Sequence, residues 1–263
     1  MATRRNFIRQ ASFAAGAGIT LAACANTTSN ASAMEQSEAT APQSEVLFAG
    51  KTIVFQGDSI TDGGRRKDQL APNAGGALGG TYPLLISAQI LGSEGEQGTK
   101  FYNRGISGNK VFQLAERWEE DCINLKPDIL TILIGVNDFW HMVDGNYDGT
   151  VEIYERDFMA LIERTKAALP NVKIIIAEPF AVAGGRAITE RWDQEFPAYQ
   201  AAAKRVAEAH NTQWIATQAL FDQALENGSV DHWCPDGVHP APAGHHLMAE
   251  AWIEALREAA KSK

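Results

Sequence analysis

The chain has 263 residues, 45% of them hydrophobic, and a formal net charge of −9 at pH 7. An apolar fraction of this size is typical of a folded globular protein and excludes a largely disordered chain. The acidic balance argues against nucleic acid or an anionic lipid surface as the partner.

The first 24 residues are predicted to be an export signal. Three arginines precede an apolar run over residues 11–23, which is too short for a membrane span of about 20 residues. The paired arginines resemble a twin-arginine signal, and Leu-Ala-Ala-Cys at the end of the run resembles the bacterial lipobox, with Cys24 as the lipidated residue. The alternative is an ordinary secretory signal with a chance cysteine. We expect an exported protein that is lipid-anchored to the bacterial cell envelope, on its periplasmic or cell-surface side.

Residues 25–45 are predicted to be a disordered tether, because they contain almost no large apolar side chain. A flexible segment of this length has a root-mean-square reach of about 25 Å. Residues 46–263 are long enough for one domain with a substantial core. Loss of residues 1–24 removes three arginines and no acid, which changes the net charge from −9 to −12.

Strands and helices are predicted to alternate through this domain. Continuous apolar runs indicate buried strands at residues 51–56, 100–103, 128–134, 172–177 and 213–216. Helices are predicted at residues 84–91, 111–125, 151–168, 192–210 and 243–260. This alternation is typical of a parallel sheet covered on both faces. We therefore predict a three-layer α/β/α sandwich with a flavodoxin-like, five-stranded parallel sheet.

Ligands of such sheets bind outside the carboxyl ends of the strands, and small polar residues follow the first three predicted strands. Ser59 comes directly after the first strand, in a turn opened by Gly57. Near the other end of the chain, Asp236 and His239 are spaced so that a carboxylate can orient an imidazole. Each feature alone is weak, and Asn137 could simply cap a turn. No Gly-x-Ser-x-Gly elbow surrounds Ser59, which argues against the common α/β-hydrolase arrangement.

Four motifs together resemble the SGNH (GDSL-type) hydrolase family: residues 57–62 (GDSITD), 103–109 (NRGISGN), 135–138 (GVND) and 236–239 (DGVH). The resemblance implies that Ser59 is the nucleophile, His239 the general base and then acid, and Asp236 its orienting partner. It also implies an oxyanion hole formed by the backbone N–H groups of Ser59 and Gly108 and by the side-chain amide of Asn137.

Further segments are similar to the acetylxylan esterase branch of that family, namely residues 75–82, 117–121, 126–128 and 137–140. The resemblance implies hydrolysis of acetyl or other short-chain acyl esters, with O-acetylated carbohydrate as the substrate and no metal or organic cofactor. An export signal is unexpected if such relatives act inside the cell, so an acetylated glycan of the envelope is an alternative substrate. Trp140 is a candidate platform for a sugar ring, or else a rim aromatic residue packed on its own helix.

Several alternatives remain open from sequence. Within enzymes, a lysophospholipase or thioesterase acting on longer acyl chains is the second candidate. A carbohydrate-binding surface lipoprotein without catalytic activity is the candidate from another class. Nucleotide binding is disfavoured because no Gly-Lys-Ser/Thr follows the glycine-rich run at residues 75–80. The sequence does not fix the oligomeric state.

The histidine and cysteine patterns do not favour a metal or a firm disulfide. His245 and His246 are adjacent on a predicted helix, where side chains point about 100° apart, so they are poorly placed to chelate one ion. Cys122 and Cys234 could pair in an oxidising compartment, but they fall in a helix and in a C-terminal loop, and the pairing stays open.

Overall fold

The structure is a computed structural model that describes residues 47–261. The predicted export signal at residues 1–24, with Cys24, and the predicted tether at residues 25–45 lie outside the described residues. Within residues 47–261, no helix is both long enough and apolar enough to cross a bilayer.

Five strands form one parallel sheet: β1 Thr52–Gly57, β2 Lys100–Asn103, β3 Ile129–Leu133, β4 Lys173–Ala177 and β5 Gln213–Ile215. Their order in the sheet is β2-β1-β3-β4-β5, and every neighbouring pair is parallel. Ile53 of the central strand β1 pairs with Phe101 on one side and with Ile129 on the other. Because both faces of the sheet are covered, these strands are apolar on both sides. The predicted fold class is confirmed.

The α-helices, in chain order, are α1 Ser59–Asp62, α2 Gly75–Leu78, α3 Tyr82–Glu94, α4 Val111–Glu116, α5 Trp118–Asp121, α6 Val136–Val143, α7 Val151–Ala168, α8 Glu190–Ala209, α9 Thr217–Ala224, α10 Val230–Trp233 and α11 Pro242–Lys261. Short 3₁₀ turns follow α5 and α9, at Ile123–Leu125 and Leu225–Asn227.

The helices pack in two layers on the sheet. Helices α3 and α11 contact each other on one face, and α7 contacts both α4 and α8 on the other. Phe55 of β1 points to the first layer, where its ring lies 5.7 Å from the rings of Tyr82 and Trp252. The next residue, Gln56, points to the second layer and donates to the Asp121 carbonyl. This alternation along one strand is how a single β-strand serves two cores.

Two buried tryptophans donate hydrogen bonds inside the hydrophobic core. The indole N–H of Trp252 on α11 donates to the hydroxyl of Thr131 on β3 at 2.8 Å. In the other layer, Trp118 donates to Thr165 of α7 at 2.9 Å. A buried indole N–H needs such a partner, so both threonines hold a helix in place by a polar contact inside an apolar layer.

The prediction of one continuous helix over residues 111–125 was wrong. The backbone leaves helical geometry at Arg117, where φ is −108° and ψ is 9°, and again at Cys122, so α4, α5 and a 3₁₀ turn replace the single helix. At this break, the Arg117 guanidinium donates hydrogen bonds to the Gln56 side chain of β1 and to the Arg104 carbonyl. The other predicted helices and strands are present, with ends shifted by a few residues.

Candidate active site

Ser59 lies in the tight turn between β1 and α1. Gly57 ends the strand, and a side chain there would collide with the backbone of β3 and with Thr61. The carboxylate of Asp58 caps α1 by accepting a hydrogen bond from the Ile60 N–H at 3.0 Å. The turn thus presents the half-buried Ser59 at the carboxyl edge of the sheet.

The loop between α10 and α11 carries Asp236 and His239. One carboxylate oxygen of Asp236 accepts hydrogen bonds from the backbone N–H groups of Val238 at 2.9 Å and of His239 at 2.7 Å. Its other oxygen lies 2.7 Å from His239 Nδ1, and Nε2 of the same ring lies 2.8 Å from Ser59 Oγ. The structure therefore brings together three side chains from opposite ends of the domain.

The Asp236 carboxylate decides where the His239 ring carries its proton. Burial by itself would raise the pKa of Asp236, but the hydrogen bonds from His239 and Val238 outweigh burial and hold that pKa below its ordinary value. An ionised carboxylate only accepts hydrogen bonds, so Nδ1 carries the proton and the Nε2 lone pair faces the Ser59 hydroxyl. An imidazole in this state can remove a proton from a serine.

Backbone contacts fix the loop that carries Asp236. The N–H of Val182 donates to the Gly237 carbonyl at 2.8 Å, and the N–H of Ala187 donates to the Asp236 carbonyl at 2.9 Å. Gly237 has a φ of +88°, and a side chain there would collide with Ile188. Only glycine accepts that conformation at low cost, which explains the residue between the aspartate and the histidine.

The loop over residues 105–109, after β2, runs beside the Ser59 turn. The N–H of Ile106 donates to the Gly57 carbonyl at 3.0 Å, and Gly108 lies in the left-handed region with a φ of +81°. Asn137, the second residue of α6, is buried, and its side-chain amide donates to the Asn109 carbonyl at 3.3 Å. The three predicted oxyanion-hole residues therefore lie at the ends of three adjacent strands, β2, β1 and β3.

Asp62 anchors that loop from inside the domain. One oxygen of its buried carboxylate accepts from the Ser107 N–H at 2.9 Å and from the Ser107 hydroxyl at 2.7 Å, and it pairs with Lys67 at 3.1 Å. Burial opposes ionisation, but the bonds from Ser107 and Lys67 prevail, and the pKa of Asp62 lies below its ordinary value. A charged carboxylate thus holds the loop that carries Gly108.

Arg117 supports the same loop from the other side. Its guanidinium donates to the Asn109 side chain at 2.9 Å, to the Arg104 carbonyl at 2.8 Å and to Gln56 at 3.0 Å, and it pairs with Asp121 at 2.8 Å. The predicted oxyanion hole is therefore supported by a partly buried network of charged side chains. Sequence reasoning missed the roles of Asp62 and Arg117, although both lie in segments that carried the family resemblance.

Asp58 and Asp138 are two buried carboxyl groups that sequence reasoning also missed. Each adjoins a predicted oxyanion-hole residue, and burial raises the pKa of each to about 7. One oxygen of each accepts from a backbone N–H, of Ile60 at 3.0 Å and of Val111 at 3.1 Å. The second oxygen of each has no hydrogen-bond partner among the residues that the structure describes. These carboxyl groups differ from those of ordinary turn aspartates in their burial, which cannot be read from the sequence.

Trp140 lies next to the histidine of the site. Its half-buried ring is 6.3 Å from the His239 ring and meets Trp192 of α8 edge to face at 5.4 Å. It therefore packs against another helix and the candidate base rather than only on its own helix, and it forms one wall beside His239.

The remaining histidines and cysteines within residues 47–261 are not grouped into a metal centre. His245 is buried, and desolvation lowers its pKa to about 4, whereas His246 is exposed. Over residues 47–261, no three His, Cys, Asp or Glu side chains are grouped so that they could hold a metal ion. Cys122 and Cys234 are both buried and free, so they do not form the disulfide that the sequence left open.

Comparisons with known proteins fit this geometry. The family model of the GDSL-like lipases/acylhydrolases matches residues 55–247. An acetylxylan esterase from Geobacillus stearothermophilus is 35% identical over 215 residues, which cover 80% of this chain and 95% of that protein. A solved structure of a GDSL-like lipase from Parabacteroides merdae is 44% identical with a TM-score of 0.77, over 80% of this chain and 97% of that chain. A catalytic serine mutant of the Geobacillus enzyme gives a TM-score of 0.70 at 34% identity, over 79% of this chain and 94% of that chain.

These findings define the class of protein first: a carboxylic ester hydrolase built on a parallel α/β/α sandwich. The chain belongs to the GDSL-like lipase/acylhydrolase family, which confirms the resemblance read from its four motifs. The similarity to acetylxylan esterases expected from sequence is confirmed as well.

Proposed function

We propose that this chain removes acetyl groups from carbohydrate hydroxyls, with Ser59, His239 and Asp236 as its catalytic residues. The observation that carries the proposal is the continuous hydrogen-bonded line from Ser59 Oγ through both ring nitrogens of His239 to Asp236, with distances of 2.8 Å and 2.7 Å. This line supplies a nucleophile, a base and an orienting group in the order that acyl transfer requires.

The first half of the reaction forms an acyl-enzyme. Ser59 Oγ attacks the ester carbonyl carbon while its proton moves to His239 Nε2. The carbonyl oxygen gains negative charge, which the N–H groups of Ser59 and Gly108 and the amide of Asn137 stabilise. The carbon–oxygen bond to the sugar then breaks, and His239 returns the proton to the leaving sugar oxygen.

The second half releases acetate. Water replaces the sugar, gives a proton to His239 and attacks the acetyl-serine, and the serine oxygen leaves with that proton. The positive charge that forms twice on the His239 ring lies against the Asp236 carboxylate, whose depressed pKa keeps it ionised.

The names of similar enzymes and an aromatic ring beside His239 support carbohydrate as the leaving alcohol. The similar Geobacillus enzyme is named an acetylxylan esterase, and a structure of a mutant of it is titled an acetyl-xylooligosaccharide esterase. Mutants of that enzyme in which a serine, an aspartate and a histidine are replaced are called catalytic, and that aspartate and histidine have the spacing of Asp236 and His239. The ring of Trp140 beside His239 offers a flat apolar surface of the kind on which a sugar packs.

Acyl-chain length and leaving group can be tested in one assay series. Purified protein is compared on acetyl, butyryl and octanoyl esters of 4-nitrophenol, and on acetylated xylooligosaccharides with acetate release as the readout. We expect acetyl esters of both kinds to be cleaved fastest. A preference for octanoyl esters would indicate a lysophospholipase or thioesterase instead, and activity on no ester would indicate a binding protein.

The catalytic assignment is tested by substitution. Because both steps pass through the serine oxygen, Ser59→Ala is expected to lower kcat by at least about 10⁴-fold, and His239→Ala to do the same. Ser93→Ala, an exposed serine of α3, serves as the matched control and should retain full activity. Wild-type rates in a correctly folded Ser59→Ala protein would refute the assignment.

A further inference from the structure

Lys110 and His141 form a polar pair at the edge of the predicted oxyanion hole. Lys110 follows the 105–109 loop directly, and its ammonium lies 3.0 Å from Nδ1 of His141 on α6. The His141 ring borders Gly108, because a Cβ built on that glycine would lie 3.8 Å from Cε1 of the histidine. The pair belongs to neither the Ser59–His239–Asp236 line nor the network around Arg117.

The chemistry of lysine fixes the tautomer of this histidine. An ammonium group has three donors and no acceptor, so the contact requires an unprotonated Nδ1 on His141. Burial and the nearby Lys110 charge both lower the pKa of His141, which keeps the ring neutral. A neutral imidazole with a bare Nδ1 carries its proton on Nε2, which then acts as a hydrogen-bond donor.

The ammonium is itself held in one place. It lies 5.6 Å from the centre of the Phe112 ring and 5.3 Å from that of Tyr147, and the two rings stack on each other. Such cation–π contacts favour a charged lysine. Within residues 47–261, Lys110 makes no ion pair with a carboxylate and Nε2 of His141 makes no hydrogen bond, so this donor is available to a bound molecule.

The helix spacing places His141 on the same face of α6 as two residues of the candidate site. Asn137, Trp140 and His141 follow the i, i+3, i+4 pattern that places side chains on one face of a helix, here α6. Trp140 lies on the His239 side of that face, and His141 lies on the Gly108 side. The wall above the predicted oxyanion hole therefore combines a flat aromatic ring with an N–H donor, and a sugar offers the complementary C–H face and hydroxyl oxygens.

We propose that His141 binds a hydroxyl oxygen of the sugar that carries the scissile ester, and that Lys110 positions His141 by holding its proton on Nε2. This inference rests on the proposed function, because a leaving alcohol that has no hydroxyl group besides the esterified one gives His141 nothing to bind. His141 is then a substrate-binding residue, and Lys110 is a positioning residue that acts through it.

The test compares two substrates that carry the same acetyl group on different leaving groups. For His141→Phe, which removes the donor and keeps a ring, we expect kcat/KM on acetylated xylooligosaccharide to fall about three- to tenfold through a higher KM, the effect of one lost hydrogen bond. On 4-nitrophenyl acetate, which has no hydroxyl, the same variant should stay within about twofold of wild type. His141→Gln retains an N–H donor and should recover part of the sugar-specific loss. His246→Phe, which replaces an exposed histidine, is the control and should leave kcat/KM unchanged on both substrates.

Substitutions of Lys110 test the positioning role. Lys110→Met removes the ammonium, frees the tautomer of His141 and should raise KM on the sugar substrate alone, whereas Lys110→Arg, also a pure donor, should restore it. Equal losses on both substrates in His141→Phe, or no loss on the sugar, would overturn this inference and leave the proposed function intact. A wild-type protein that cleaves 4-nitrophenyl acetate but no carbohydrate acetate would overturn the proposed substrate class and this inference with it.

Discussion

At the scale of single residues, the proposed nucleophile and base of the site are more exposed than the side chains that support them. Ser59 and His239 are half exposed at the rim, whereas Asn137 and Asp62 are buried beneath them. A buried donor with a fixed partner needs no reorganisation when charge develops on the substrate, which is the physical basis of oxyanion stabilisation. In the proposed mechanism, the buried Asn137 amide therefore contributes to the rate together with Ser59 and His239.

Asn137→Ala should lower kcat by about 10²–10³-fold with little change in KM, because its amide acts on the oxyanion and not on the bound ester. Steady-state kinetics on 4-nitrophenyl acetate measures the effect, with thermal unfolding as the check on folding. An unchanged kcat would show that the hole is completed by other donors.

Asp138→Asn should remove the part of the pH-dependent loss of stability that Asp138 causes. Burial raises the pKa of Asp138 from 3.8 to about 7, so the folded state holds this proton more tightly than the unfolded state does. Asp138 therefore makes the wild type lose stability as the pH rises from about 4 to above 7, and an uncharged asparagine removes this contribution, whereas that of Asp58 remains. Between pH 5 and pH 8, the stability of the variant relative to wild type should increase by at least about 1 kcal/mol, the equivalent of one pKa unit.

Urea unfolding at both pH values measures that difference. Asp222→Asn, which replaces an exposed carboxylate on α9, is the control and should show no comparable change. A constant difference between wild type and Asp138→Asn across the range would mean that Asp138 is ionised throughout.

At the scale of helices and strands, polar contacts fix how α11 lies on the sheet. The Thr131 hydroxyl in the middle of β3 is fully buried and receives the Trp252 N–H. Thr131→Val has nearly the same shape but leaves that N–H without a partner. It should therefore lower the free energy of unfolding by about 1–3 kcal/mol, the cost of an unsatisfied buried donor.

Chemical denaturation gives this value, and Thr131→Ser, which keeps the hydroxyl, is the matched control. We expect the serine variant to lose less stability than the valine variant. The reverse order would show that the methyl group of Thr131, and not its hydroxyl, is what holds α11.

The regular elements with a strong apolar period could be predicted from sequence, and those decided by long-range contacts could not. Strand β2 and helix α7 have the predicted ends, because burial on their faces follows the chain pattern. The break at Arg117 depends on Asn109 and Gln56, which only folding brings near. No periodic pattern marks a helix as short as α6, so its bounds were not predicted, although Trp140 was expected on a helix.

The same distinction applies to the site. Ser59, Asp236 and His239 could be predicted as neighbours because their motifs and spacing can be recognised in the sequence, and the structure joins them by hydrogen bonds. The Lys110–His141 pair was not predicted, because its members lie 31 positions apart, at the start of α4 and on α6, and only folding brings them together. The raised pKa values of Asp58 and Asp138 depend on burial, which no local pattern specifies.

At the scale of the whole molecule, we propose that the domain is exported and attached to a membrane by lipid at Cys24. The proposal rests on the sequence of residues 1–24, which lie outside the described residues. Cys24→Ser removes the residue that would carry the acyl chains, and two or more such chains are needed for stable anchoring. The variant should therefore move from the membrane fraction to the soluble fraction after cell fractionation. Ser29→Ala in the adjacent segment is the control, and a protein that is soluble with Cys24 intact would contradict the proposal.

The hydroxyl of Ser59 and the imidazole of His239 meet across 180 positions of the chain, and this separation makes activity a report on integrity. In the proposed mechanism, a molecule in which the loop with Asp236 and His239 has not docked, or has been cut by a protease, retains Ser59 but lacks the base that activates it. On that mechanism, the esterase rate per mole of protein measures the fraction of fully folded molecules, and an incompletely folded chain does not hydrolyse acylated compounds.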